Sequence, residues 1–178
     1  MTDYLSDEMD ALKTALDNEL KTHMFYVDAE KKAKSKFSKK TFSFLAEQEL
    51  GHIQKIKKFI KGADKKIDQI DIDMEVAEMF FKKSKDFFES TVEHFKQKLK
   101  ADDSDLNIYK VGKEIEQSGF DFYKKAFEDA NTENLKAFFK FLMEQEQLHY
   151  QLLENSLDYI ENPEGFFFDQ ENWNFEGG

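Results

Sequence analysis

The stretch FLAEQELGH at residues 44–52 recurs as FLMEQEQLH at residues 141–149, offset by 97 residues. Each copy contains one Glu-x-x-His motif, which ends at His52 in the first copy and at His149 in the second. The same offset relates residues further upstream, which pair Glu19 with Glu116 and Tyr26 with Tyr123. A repeat of this kind indicates two equivalent structural units, so we expect the chain to fold as two similar halves.

Each half has the pattern of a helical hairpin, because apolar residues recur at helical spacing and cap-type residues interrupt them. The predicted helices span residues 6–34, 38–61, 105–130 and 132–160. We expect Ser38 to cap the second helix and Asn131 or Thr132 to cap the fourth, since their side-chain oxygens can accept first-turn amide protons. The predicted fold class is therefore all-α, a four-helix bundle of two repeated hairpins.

A long connection at residues 62–104 joins the two hairpins. Its apolar residues follow helical spacing, which predicts an additional crossover helix against the bundle: Val76, Phe80, Phe87, Phe88, Val92, Phe95 and Leu99. Residues 1–161 would then form one bundle domain. Residues 162–178 form an aromatic tail, which we expect to pack on the bundle or on a second subunit, since exposed aromatic patches usually mark interfaces. A homodimer is the expected assembly.

Each of the four helices places one glutamate in the middle of its apolar stripe. In the second helix the stripe is centred on Glu49, and His52 follows about one turn later on the same side. The fourth helix repeats this with Glu146 and His149. The first and third helices contribute Glu19 and Glu116 in the same way. We therefore expect these six side chains to meet inside the bundle.

Four buried carboxylates need compensation, because burying an unpaired ion costs several kcal/mol even after relaxation (about 20 kcal/mol in the idealised limit). Either most of the carboxylates are protonated, or cations lie among them. Two divalent cations would balance four carboxylates, and a carboxylate-rich site with one imidazole per metal suits iron or manganese. The remaining possibility is a structural bundle that has lost its metal site.

Composition excludes several other classes of protein. The absence of cysteine excludes disulfides, iron–sulfur clusters and thiolate zinc sites. All 26 basic residues are lysine and the net charge is −11, so nucleic-acid binding is not expected. The sequence contains no apolar run of membrane-spanning length and no signal-peptide pattern at its N-terminus, so the expected location is the cytoplasm.

The sequence from residue 6 to about residue 160 resembles the ferritin-like superfamily, and within it the rubrerythrin family most closely. One Glu from each of two helices and Glu-x-x-His from each of the other two is the di-iron or di-manganese carboxylate arrangement. The resemblance implies two iron ions, with manganese or mixed metals as alternatives, and Glu49 and Glu146 as the bridging ligands. The implied metal ligands are Glu19, Glu49, His52, Glu116, Glu146 and His149.

The resemblance also implies an oxidoreductase that reduces hydrogen peroxide or dioxygen. Two departures matter. Rubrerythrins proper carry a cysteine-liganded iron site in the same chain, and this chain has no cysteine, so an external rubredoxin or flavoprotein would have to supply electrons. Rubrerythrins also have an extra glutamate near the ligand of the third helix, whereas Lys113 precedes Glu116 by three residues here, which weakens the case for peroxidase chemistry.

Three further residues are candidates for a supporting role around the metal ligands. Tyr26 and Tyr123 either pack in the core or donate hydrogen bonds to ligand carboxylates of a neighbouring helix. His23 could be a seventh ligand or a proton donor, and the favoured interpretation is a polar residue at the edge of the core. Ferritin-type iron oxidation, a non-catalytic metal-binding bundle and manganese catalase chemistry stay open as alternative functions.

Overall fold

The computed structural model describes residues 3–63 and 103–163, and this part of the chain is helical apart from two short turns and the residues after the last helix. The predicted crossover helix, and all of the aromatic tail after residue 163, lie outside the described residues. The helices are α1, Asp3–Lys32; α2, Lys36–Ala63; α3, Asp103–Asp129; and α4, Glu133–Glu161. The all-α four-helix fold is confirmed, with each helix end within three residues of its predicted position.

In each hairpin, a side-chain hydroxyl in the turn caps the second helix, α2 or α4. Thr132 caps α4 as predicted, since its Oγ1 accepts the amide proton of Leu135 at 3.3 Å. At the equivalent turn, however, the cap is Ser35, whose Oγ accepts the amide proton of Ser38 at 2.9 Å. The prediction of Ser38 as the cap was therefore wrong. The two serines lie three residues apart, and the first one precedes α2 and accepts a free amide proton of its first turn.

Two carboxylates tie the hairpins together at opposite ends of the bundle. Asp105, at the start of α3, accepts the amide protons of Lys34 and Ser35 at 2.7 and 2.9 Å. Glu8, near the start of α1, accepts the amide proton of Asn131 at 3.1 Å. The beginning of each of these helices therefore lies beside the end of the other, so α1 and α3 run antiparallel. These contacts obey the offset of 97 that relates the two halves.

Within residues 3–63 and 103–163, the core consists of two apolar clusters, one towards each end of the bundle. Along each helix, one glutamate separates them: Glu19, Glu49, Glu116 or Glu146. Several residues of one cluster are repeat equivalents of residues in the other. They are Tyr26, Ala29, Ala33, Phe42 and Leu45 in the first cluster and Tyr123, Ala126, Ala130, Phe139 and Leu142 in the second. Burial of these side chains supplies the main driving force for folding. It also places the glutamates in a layer shielded from water above and below.

No helix among residues 3–63 and 103–163 combines the length and the apolar character that a membrane span requires.

Candidate metal centre

The six residues predicted as ligands all lie in the layer between the two apolar clusters. Each helix contributes one glutamate, and α2 and α4 each add a histidine one turn later. None of the six is more than 3 % exposed: Glu19, Glu49, His52, Glu116, Glu146 and His149. The hydrophobic stripe of each helix explains this burial, since a glutamate in the middle of that stripe has to enter the core with its neighbours.

The histidine nitrogens point at the carboxylates. His52 Nδ1 lies 3.2 Å from Glu19 Oε2 and 3.2 Å from Glu49 Oε2. His149 Nδ1 lies 2.8 Å from Glu49 Oε1 and 3.5 Å from Glu116 Oε2. The two imidazole rings stack on each other with their centroids 5.2 Å apart. Glu49 is therefore the carboxylate closest to both histidines, while Glu146 Oε1 lies 3.8 Å from His52 Nδ1.

Several of these buried atoms are close to one another without forming aligned hydrogen bonds. Within the described part of the chain, both oxygens of Glu49 and one oxygen each of Glu116 and Glu146 lack a hydrogen-bond partner, as does His149 Nδ1. Buried polar atoms are ordinarily hydrogen-bonded, so such a group requires an explanation. Donor atoms that converge on common points instead of on each other fit coordination of cations. The residues present therefore fit a metal centre.

A tighter subset confirms that convergence. Glu49, His52, Glu146 and His149 each offer one ligand atom, and all four atoms lie within 4.8 Å of one another. These residues come from the two Glu-x-x-His motifs. Hard carboxylate oxygens with imidazole nitrogens suit iron or manganese, whereas thiolates would be needed for a soft-metal site.

Two tyrosines hold the outer glutamates from the opposite hairpin. Tyr26 of α1 donates its hydroxyl proton to Glu116 Oε1, and Tyr123 of α3 donates to Glu19 Oε1. Each tyrosine ring stacks against a core phenylalanine, Phe42 or Phe139, with centroids 6.3 Å apart. Of the two interpretations left open by the sequence, the contacts match the donor to a ligand carboxylate on a neighbouring helix.

The carboxylates have divergent pKa values in the metal-free layer. Burial, together with the charge of Glu49, raises the pKa of Glu19 to about 8. Burial and the charges of Glu19 and Glu116 raise the pKa of Glu146 well above its ordinary value. Burial also opposes ionisation of Glu49, but the charges of His149 and His52 outweigh it and hold its pKa well below the ordinary range. Without metal, the layer therefore retains protons on Glu19 and Glu146.

The histidines have raised pKa values in the same layer. Burial alone would lower the pKa of His52, but the charges of Glu19 and Glu49 outweigh it and raise that pKa to about 9. The charges of Glu49 and Glu116 likewise raise the pKa of His149 to about 10 against the effect of burial. Protons on the imidazoles thus compensate the carboxylates when no cation does so.

His23 lies apart from the ligand group. It is half-buried, and its Nδ1 lies 2.8 Å from the carbonyl oxygen of Ala46 on α2. This contact matches the favoured interpretation, a polar residue at the edge of the core, and a role for His23 at the centre stays a prediction. Lys113 contacts Glu154 of α4 at 3.0 Å, with its Nζ 4.9 Å from the centre of the Tyr150 ring.

The sequence interpretation missed one residue that adjoins the ligand group, Gly119 of α3. A Cβ atom built on this glycine would lie 2.7 Å from Glu146 Oε2, so only glycine leaves room for the carboxylate in its present position. A signal was available in the repeat. Gly119 follows Glu116 by three residues, and the equivalent residue after Glu19 is Thr22. A glycine inside a helix usually has a packing or functional reason.

Four antiparallel helices that each bury one glutamate, two of them with Glu-x-x-His, define the class of helical-bundle proteins with a dinuclear carboxylate centre. The family model described as Rubrerythrin matches residues 10–157, and the chain belongs to the rubrerythrin family. Proteins of this family contain a di-iron centre. Searches of the curated proteins and of the solved structures return no match.

Proposed function

We propose that this protein is a di-iron oxidoreductase that reduces hydrogen peroxide or dioxygen with electrons from an external donor. The observation that carries the proposal is the buried layer of four glutamates and two histidines, in which several donor atoms have no hydrogen-bond partner among the described residues. Membership of the rubrerythrin family supports the same chemistry. Bound iron would supply two electrons together, which with two protons reduce one hydrogen peroxide to two waters.

The contacts favour a definite division of roles among the ligands. Glu49 lies within 3.2 Å of Nδ1 of both histidines, which suits a carboxylate that bridges two metals. Glu146, its equivalent in the repeat, is proposed as the second bridge. Glu19 and Glu116 would each bind a single metal, together with His52 and His149 respectively, because each pair lies in the same hairpin.

The tyrosines would keep the outer carboxylates in position. Burial, and the charge of the carboxylate that each one faces, raise the pKa of Tyr26 and of Tyr123 well above the ordinary value for tyrosine. Both hydroxyls therefore remain protonated donors at neutral pH. A ligand carboxylate that accepts such a hydrogen bond is fixed in orientation, which is the usual function of groups behind a metal ligand.

We propose a separate protein as the source of electrons, because the given sequence has no cysteine with which to hold a rubredoxin-type iron. A rubredoxin or a flavoprotein is the proposed donor. We also propose a homodimer, on the basis of the aromatic residues in the tail. Exposed aromatic patches usually mark interfaces between proteins.

The function is tested by loading the metal-free protein anaerobically with ferrous iron and measuring the bound iron. We expect two irons per chain. One equivalent of hydrogen peroxide should then oxidise both irons in a single turnover, followed by absorbance, and dithionite or a reduced rubredoxin should restore the ferrous state. A loaded protein that binds two irons but consumes neither hydrogen peroxide nor dioxygen would contradict the proposal.

The same titration separates iron storage from peroxide reduction. A ferritin-type protein would take up many irons per chain in air and elute as a large shell on size exclusion. Binding that stops at two irons in a small oligomer supports the oxidoreductase. Preferential retention of manganese, with release of dioxygen from peroxide, would instead indicate catalase chemistry.

A further inference from the structure

A cleft of about 410 Å³ lies between α1 and α3, on the side of the bundle where these helices are neighbours. Its lining includes Asn18 and Thr22 from α1 and Ile115, Ser118 and Gly119 from α3. Asn18 and Ile115 each precede a glutamate of the metal layer by one residue. The cleft therefore opens directly beside the candidate centre, at the level of Glu19 and Glu116.

Gly119 belongs both to the cleft lining and to the surroundings of Glu146. This residue lines the cleft, and its Cα lies against the carboxylate of Glu146, because a Cβ atom would come within 2.7 Å of Oε2 and 3.2 Å of Cδ. Because Gly119 has no side chain, the carboxylate of Glu146 packs directly against the helix backbone at this point of the cleft lining. Glu146 is nevertheless only 3 % exposed, so a molecule passing this point has to be small.

The lining also defines the kind of molecule that fits. Asn18, Thr22 and Ser118 offer neutral hydrogen-bonding groups. Lys21 and Glu114 also line the cleft and carry opposite charges, and Lys21 is paired with Asp17 at 2.6 Å. The lining residues therefore have no net charge among themselves and favour neither a cation nor an anion, which suits a small uncharged molecule.

We propose that this cleft is the entry route for small uncharged ligands of two heavy atoms, the size of hydrogen peroxide and dioxygen, and that Gly119 sets the size limit at its inner end. The inference rests on the proposed metal centre but not on turnover. Gly119 is the specificity-determining residue of the proposed route. The two halves of the repeat differ at this position, because α1 has Thr22 there.

The test uses nitric oxide, an uncharged diatomic probe whose binding to the ferrous protein is followed by stopped-flow absorbance. Gly119→Ala should slow association about tenfold or more, since one added methyl group in a closely fitting site has effects of this order. The matched control is Gly51→Ala in α2. A Cβ atom there would meet only Lys55 Nζ, at 4.0 Å, so association should stay within about twofold of wild type.

A second variant separates passage through the cleft from disturbance of Glu146. Thr22→Phe fills the cleft from α1 and places its ring on the opposite wall from Gly119. We expect it to retain two irons and the wild-type melting temperature while slowing nitric oxide association about tenfold. If Gly119→Ala loses iron because Glu146 has moved, Thr22→Phe still tests the route.

The two proposals fail in different ways. A wild-type protein that binds no iron overturns the proposed function. A wild-type protein that binds iron and nitric oxide, with Thr22→Phe associating at the wild-type rate, overturns the entry route and leaves the metal centre standing. The rate of iron loading is measured in parallel in Gly119→Ala and Thr22→Phe. If these variants slow loading of ferrous ions more than association of nitric oxide, the assignment of the cleft to uncharged ligands is overturned.

Discussion

The hairpins α1–α2 and α3–α4 are built on the same repeat, and they agree most closely around the metal layer. Tyr26 donates to Glu116 and Tyr123 donates to Glu19, so each hairpin holds the outer glutamate of the other. The capping contacts of Asp105 and Glu8 follow the same symmetry at the two ends. Agreement between the halves therefore marks the residues that hold the centre together.

The differences between the hairpins lie around that layer. Gly119 in α3 stands where α1 has Thr22, and the missing side chain leaves room for the carboxylate of Glu146. The apolar clusters also differ, since the first end of the core buries polar residues where the second end buries apolar ones. The repeat pairs Ser38 with Leu135, Thr41 with Phe138 and Tyr109 with Leu12, all of them buried. Where the two halves differ in sequence, packing around the metal layer differs between the two hairpins.

The largest effect should come from removing the histidines one at a time. In the proposed arrangement each histidine serves one metal, so His52→Ala and His149→Ala should each reduce bound iron from two to one per chain. The iron that loses its histidine should bind at least about 100-fold more weakly, because losing a ligand costs more than losing an outer partner. Metal analysis after anaerobic loading and desalting measures this.

His23→Ala is the matched control, because His23 contacts the carbonyl oxygen of Ala46 at 2.8 Å and lies outside the ligand group. It should retain two irons. Loss of one iron from the His23 variant would make this residue a ligand and break the symmetry of the two halves, since Phe120 is its equivalent in α3.

The tyrosine pair gives the next largest effect. Tyr26→Phe and Tyr123→Phe each remove one hydrogen bond to a ligand carboxylate, and should weaken iron binding about 10- to 100-fold. Because the two contacts are equivalent in the repeat, the two variants should differ by less than about threefold in a chelator competition at fixed pH. Tyr109→Phe, in the same apolar cluster as Tyr26, is the control and should bind iron as wild type does. Unequal effects of the first two variants would show that the halves are not functionally equivalent.

The helices and the ligand group could be predicted because a glutamate inside an apolar stripe is visible in the spacing of residues alone. The repeat fixed which glutamates belong together. The capping residue of α2 was mistaken because Ser35 and Ser38 are equally suitable by type, and only the path of the turn distinguishes them. Gly119 was missed because its importance comes from the position of a carboxylate on another helix, α4, which the spacing within α3 does not contain.

The metal-free protein should lose stability as the pH rises. A group whose pKa is higher in the folded than in the unfolded state stabilises the fold fully when the pH is below the unfolded-state pKa. This stabilisation is lost as the pH rises through the folded-state pKa. The pKa of Glu19 is raised from 4.5 to about 8 and that of His52 from 6.5 to about 9. Both shifts predict a lower melting temperature at pH 9 than at pH 6. The pKa of Glu49 is lowered from 4.5, so its contribution to stability is lost only as the pH falls below about 4.5.

Metal should reverse this dependence, because cations bind the deprotonated ligands and compete with protons at low pH. The difference in melting temperature between iron-loaded and metal-free protein should therefore widen from pH 6 to pH 9, as measured by circular dichroism. Asp28→Asn, which removes an exposed ion pair with Lys32, should leave the slope unchanged. A metal-free protein that grows more stable between pH 6 and pH 9 would contradict the arrangement of charges described for the layer.

The smallest effects should come from the two capping carboxylates, and here the hairpins should differ. Asp105 is fully buried and accepts two amide protons, at 2.7 and 2.9 Å, where α2 begins. Its replacement by alanine should destabilise the metal-free protein by about 2 kcal/mol, because two part-buried amides lose their acceptor. Glu8 accepts one exposed amide proton at 3.1 Å, so Glu8→Ala should cost less than about 1 kcal/mol, since water can replace the contact. Urea denaturation measures both, and Asp105→Asn, which keeps one acceptor, should fall between them. Equal losses in the two alanine variants would mean that burial of the cap does not decide its contribution, and that the two ends of the bundle are as alike in energy as they are in sequence register.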